Sequence, residues 1–179
     1  MAMNTGKIAI GAIVLSAIIA GFGLYYLQVY AFYDALPPET DEILLTSLSS
    51  GEPEAVAVDG FSGIDSDSSP IRYRACFEMP ASLAMLTETY VIAEEAEPLI
   101  APGWFDCFDA ERIGADLAQG VAIPFMGVEN IVYGVDRVVA VYPDGRGYAW
   151  NMLNFCGEVV FDGDPVPAEC PEPPEGVTR

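Results

Sequence analysis

Histidine is absent from all 179 residues, and lysine occurs once, at Lys7. Without histidine there is no Ser-His-Asp or Cys-His catalysis, no H-E-x-x-H zinc site and no histidine ligation of haem or copper. Without a lysine beyond position 7, the rest of the chain has no Schiff-base nucleophile. Walker loops, G-x-G-x-x-G and G-x-S-x-G are missing too. Positive charge is scarce: seven basic residues face 27 acidic ones, a formal net charge of −20. Such a chain repels polyanions and attracts cationic partners over about a Debye length, so no nucleic acid is expected as a partner. No cofactor is expected, and carboxylate chemistry is the one catalytic class left open.

Charge of either sign is missing from residues 8–33. As a helix this run would reach about 39 Å, against a hydrocarbon core of about 30 Å. Aliphatic residues fill its first half, and Tyr25, Tyr26, Tyr30, Phe32 and Tyr33 crowd its end, where amphipathic rings favour the membrane boundary. A cleavable signal has an apolar region of about 7–15 residues and a small-x-small site. This run is longer and has no such site near its end, so an uncleaved transmembrane anchor over 8–33 is expected. Lys7 then puts residues 1–7 in the cytoplasm and the remainder outside. Ala12, Ser16 and Ala20, with Ala17 and Gly21, form a small-residue face on which a second helix could pack.

All 27 acidic residues and all four cysteines follow the span. Cys76, Cys107, Cys156 and Cys170 contain no C-x-x-C, which argues for disulfides in an oxidising compartment rather than a redox pair or a zinc ribbon. Three pairings are possible. The expected one joins Cys156 to Cys170, tying down an otherwise loose tail, and Cys76 to Cys107.

Residues 34–42, with paired prolines, read as a short stiff linker. Residues 43–164 read as an α+β domain, mostly antiparallel sheet with one or two short helices, and the Pro/Glu-rich 165–179 as an extended tail. Within the domain, 43–48 suits a strand or short helix, and 55–58 a strand bounded by turns at Gly51 and at Asp59-Gly60. Residues 60–70 carry polar turn chemistry, and 71–77 alternate like a half-buried strand. A short helix is expected over 81–86 and a strand over 87–92, followed by a loop through Gly103. The best soluble helix lies near 108–120, with Asp109 as cap, Gly120 as stop and Ile113 and Leu117 facing inward. Residues 121–125 and 131–135 look like strands. Residues 137–153 form a hairpin turning at Pro143-Asp144-Gly145, and 157–161 would add a last short strand.

The alternation over 71–77 puts Arg72 and Arg74 on one face, where paired guanidinium groups could grip a carboxylate or phosphate. Cys76 beside them is a candidate activated thiol. Asp59, Asp65 and Asp67, and again Asp162 and Asp164, offer oxygen ligands for calcium. Counting Asp65 as position 1, however, the EF-hand glycine is replaced by Pro70 and its glutamate by Cys76. Trp104, Phe105 and Phe108, and Tyr148 with Trp150, are candidate binding anchors or packing around a disulfide.

The start Asn4-Thr5-Gly6-Lys7, the span closing in Tyr25-Tyr26-Leu27-Gln28-Val29-Tyr30, and the segments 69–77 and 101–109 resemble the DUF6446 family of alphaproteobacterial membrane-anchored proteins. The resemblance implies an envelope protein of a Gram-negative bacterium; with the span and its orientation, the expected place is the inner membrane with the domain in the periplasm. It carries no activity. The expected role is non-enzymatic: an acidic periplasmic domain that docks to, or helps assemble, a membrane complex or a basic periplasmic protein. An anion-binding module using Arg72 and Arg74 is the alternative.

Overall fold

The computed structural model describes residues 5–37 and 42–175. Residues 1–4, residues 38–41 of the expected linker and residues 176–179 of the tail lie outside the described residues. Helix α1, Thr5–Tyr26, runs on into a π-helical segment, Leu27–Ala31. It is apolar on all sides, without the polar face that a surface helix of a soluble domain presents to water. Gly6–Ala31, 26 residues, is long and apolar enough to cross a membrane, and this stretch packs none of its hydropathic core inside the fold.

The chain then enters a six-stranded antiparallel sheet. Its strands are β1 (Asp34–Leu36), β4 (Asp59–Asp65), β5 (Arg74–Glu78), β6 (Ile123–Val132), β7 (Val135–Val141) and β8 (Arg146–Leu153), in the order β1-β4-β5-β8-β7-β6. A separate hairpin, β2 (Ile43–Thr46) with β3 (Pro53–Val56), and helix α2 (Leu83–Thr89) cover one face. That side buries Tyr73, Ala75, Phe77, Val139 and Ala149 against Ile43, Leu45 and Leu86. Helix α3 (Ala110–Ala118) and the loop before it cover the other, burying Cys76, Val138, Ala140 and Trp150 beneath Phe105, Phe108 and Ile113. Successive strand residues point to opposite faces, and here both faces have a lid.

Several expectations hold. Asp109 accepts from the Arg112 amide to cap α3, and Gly120 follows it at φ +70°. The β7–β8 hairpin turns through Gly145 at φ +90°, a conformation that glycine adopts without steric cost. Cys76 is bonded to Cys107 and Cys156 to Cys170.

Other segments differ, some for a local reason and some through pairing with distant strands. The linker is already part of the sheet from Asp34, since β1 pairs with β4. The polar stretch at 60–70 is largely β4, held between β1 and β5, with Ile64 buried. Pro70–Arg72 is a 3₁₀ turn opened by the proline, so the strand starts only at Arg74. It is buried on both faces down to Phe77, not half-buried. Residues 87–89 belong to α2, which Ser82 caps by accepting from the Met85 amide, and only Tyr90 and Ile92 bridge to Ser47 and Phe125. Residues 121–125 and 131–135 are not two strands: one long β6, with register shifts, takes in 123–125 and 131–132, Tyr133 and Gly134 turn, and Val135 already opens β7. The expected last strand is a helix, α4 (Phe155–Phe161), because Asn154 accepts from the Gly157 amide and fixes its first turn.

Helix α4 packs glycine on glycine: a Cβ at Gly157 would collide with the Gly134 carbonyl oxygen, which is backbone and cannot swing away. Gly157→Ala is expected to cost about 1–3 kcal/mol through overpacking. Gly103→Ala, where nothing lies within 4 Å of the new methyl, should be near neutral. Chemical unfolding of the full chain in detergent checks both; equal midpoints would contradict the close packing.

Candidate functional site

Arg72 and Arg74 do not form a paired grip. Arg72 leaves the 3₁₀ turn toward the end of the apolar helix, its guanidinium carbon 5.8 Å from the Phe32 ring centroid and 5.4 Å from that of Tyr33. Its Nη1 is buried and has no hydrogen-bond partner among the described residues. Arg74 lies in the sheet and is only 3% exposed. Its Nε donates to the Leu99 carbonyl at 2.8 Å, and its Nη1 to the carbonyls of Ile71 at 2.8 Å and Tyr73 at 2.6 Å. Nη2 reaches the Ile100 carbonyl at 3.5 Å, and the guanidinium lies 5.6 Å from the Phe108 centroid. Four contacts thus engage a group with five N–H donors. Burial lowers the Arg74 pKa to about 10, partly offset by Tyr33 and Asp65, so the side chain stays charged at neutral pH.

The Leu99 and Ile100 carbonyls belong to a loop that joins the domain to the helix, and those of Ile71 and Tyr73 to the turn before β5. Trp150, at the core, donates its indole N–H to the Glu97 carbonyl at 3.0 Å, and Arg74 takes Leu99 and Ile100. At the far end Trp104 donates to the Val29 carbonyl at 2.7 Å. Val29 lies in the last helical turn, where carbonyls have no partner within the helix. The Trp104 ring also stacks on Tyr30 with centroids 6.3 Å apart and meets Tyr33 edge-on at 6.1 Å. Of the aromatic cluster, Phe105 and Phe108 are core residues, whereas Trp104 is the contact to the helix. Cys76, bonded to Cys107 just beyond Trp104, offers no thiol to activate.

A second site was not anticipated. Val91, Ile92, Met126, Met152 and Phe155 line a groove of about 450 Å³ whose other lining residues include Glu94, Glu95, Glu129 and Asp136. Ile92 and Phe155 are about half exposed there. Among the described residues none of these four carboxylates lies within ion-pair distance of a basic group. One end of the groove is fixed: Asp136 Oδ1 accepts from the Asn130 amide and from Asn154 Nδ2, both at 2.8 Å. Asn130 takes φ +48° at that point, a left-handed conformation that asparagine tolerates. Only the doublet Glu94-Glu95 hinted at the groove in the sequence, where it reads as loop punctuation. The calcium candidates do not converge. Asp59 and Asp65 stand at opposite ends of β4, and among the described residues no three His, Cys, Asp or Glu side chains group as metal ligands.

The sequence model described as a family of unknown function, DUF6446, matches residues 43–171, and the chain belongs to that family. No curated protein and no solved structure matches it.

The two arginines should respond differently to substitution. Arg74→Ala removes charge-assisted bonds made by a buried guanidinium and is expected to cost about 3 kcal/mol or more, since one such bond is worth about 1.5–3 kcal/mol. Arg72→Ala loses contacts to two rings and should cost about 1 kcal/mol. Unfolding midpoints of the two variants in detergent measure the difference; equal, small losses would contradict the buried role of Arg74.

Proposed function

We propose that this DUF6446 protein is a single-pass inner-membrane protein whose periplasmic domain docks a cationic, partly apolar segment of another envelope protein in the acidic groove. The observation that carries the reading is the groove's composition. Carboxylates from the loop at 94–95, from β6 and from β7 line the groove together with apolar side chains, with no basic side chain among the lining residues. Lysine or arginine on an incoming segment would find uncompensated negative charge, while its apolar residues would cover Ile92 and Phe155. The charge of the whole chain adds long-range attraction. The uncharged helix and the disulfide-bonded domain fit an anchor with an exported domain, and Lys7 before the span favours a cytoplasmic N-terminus. The role is non-enzymatic. A second reading, an anion site, draws on the unpartnered Nη1 of Arg72; Arg74 would add little to it, with its donors already on carbonyls.

The test uses the full chain in nanodiscs and a peptide alternating leucine and lysine. Binding should weaken steeply as salt rises, and Glu94→Lys with Glu129→Lys should reduce it at least about tenfold, because like charges facing across an interface cost several kcal/mol. Asp162→Lys with Asp164→Lys makes the same change of charge outside the groove and should have a much smaller effect. Equal losses in the two double variants would show attraction to net charge alone and sink the groove.

A further inference from the structure

We infer that the loop at residues 98–105 is a second membrane contact, lying in the lipid headgroup region beside the helix with Ile100 inserted toward the acyl chains. The inference rests on the reading of α1 as a membrane span. In a domain dense with carboxylates, Pro98, Leu99, Ile100, Ala101, Pro102, Gly103, Trp104 and Phe105 form an uncharged run between Glu97 and Asp106. Ile100 is 85% exposed, more than any other large apolar side chain among the described residues. A surface-exposed isoleucine is ordinary in itself. Two observations separate this one from the rest.

The first is depth. The Trp104 indole bonds to the carbonyl of Val29, which lies inside the apolar stretch Gly6–Ala31, so the loop reaches the level at which the helix leaves the bilayer. Tryptophan and tyrosine favour that level, and Trp104 stacks there on Tyr30. Ile100 is four residues from Trp104, within about 14 Å even if the chain between them were fully extended. The second is rigidity. The main chain around Ile100 is held from inside the domain through the Glu97, Leu99 and Ile100 carbonyls, by Trp150 and Arg74. The side chain is therefore presented by a braced loop, and with the helix it gives the domain two points of attachment. Two points fix its tilt on the membrane, where a single helix would leave the domain free to swing.

The lipid is identified by photo-crosslinking. A benzophenone amino acid is placed at position 100, at position 22 in the span, or at position 155 in the acidic groove, in the full chain in phosphatidylcholine nanodiscs, and adducts are read by mass spectrometry. Lipid adducts are expected at 22 and 100 and not at 155. Adducts at 22 without any at 100 would overturn the second contact and leave the span standing. Adducts at neither 22 nor 100 would overturn the span as well.

Discussion

Arg74 is buried against the sheet, and the charge it carries has to be solvated by whatever the fold can bring to it. The groups brought are carbonyls: two from the residues just before its own strand, and two from the loop that ends in Trp104. Desolvation alone would make this guanidinium expensive, so the loop has to close over it. Closing the loop carries Trp104 to the last turn of the long helix, where its indole meets an otherwise unpartnered carbonyl. The Cys76–Cys107 bridge fastens the same loop to the same strand. One buried cation thus links the core of the domain to the apolar helix.

The groove depends on a different end of the sheet. The register shifts of β6 and the left-handed Asn130 set the geometry around Asp136, and Asn154 ties that turn to the start of α4. Asn154 acts in both directions, capping the helix with its oxygen and donating to Asn130 and Asp136 with its amide. The Cys156–Cys170 bridge then holds the proline-rich tail beside α4, and the Tyr133 hydroxyl donates to the Pro171 carbonyl. The acidic surface is therefore built on braced elements, which suits a docking role better than a loose tail would.

Much of this was legible from local pattern. The apolar helix, the capped α3 and the β7–β8 hairpin follow from composition, spacing and turn chemistry that act within a few residues, and the even number of cysteines pointed to disulfides, although three pairings were open. Most of what failed depended on distant neighbours. The alternation at 71–77 describes a strand with one wet face, and only the fold reveals that the loop at 94–108 covers that face and buries Arg74. Val159, Val160 and Phe161 favour a strand by propensity, and the cap at Asn154 outweighed them. The carboxylates of the groove come from a loop and two strands, so no short motif could have assembled them. Trp104 stood out as an aromatic, but its partner, a main-chain carbonyl far earlier in the chain, leaves no mark in the sequence.

If the buried arginine and the Trp104 bond do fix the domain on its anchor, the angle between helix and domain is a single value in the membrane. Double electron–electron resonance between spin-labelled non-natural residues at positions 28 and 119, in nanodiscs, measures this directly. The account predicts one narrow distance distribution that broadens when Trp104→Ala removes the contact. A broad distribution in the unaltered chain, unchanged by that substitution, would contradict it.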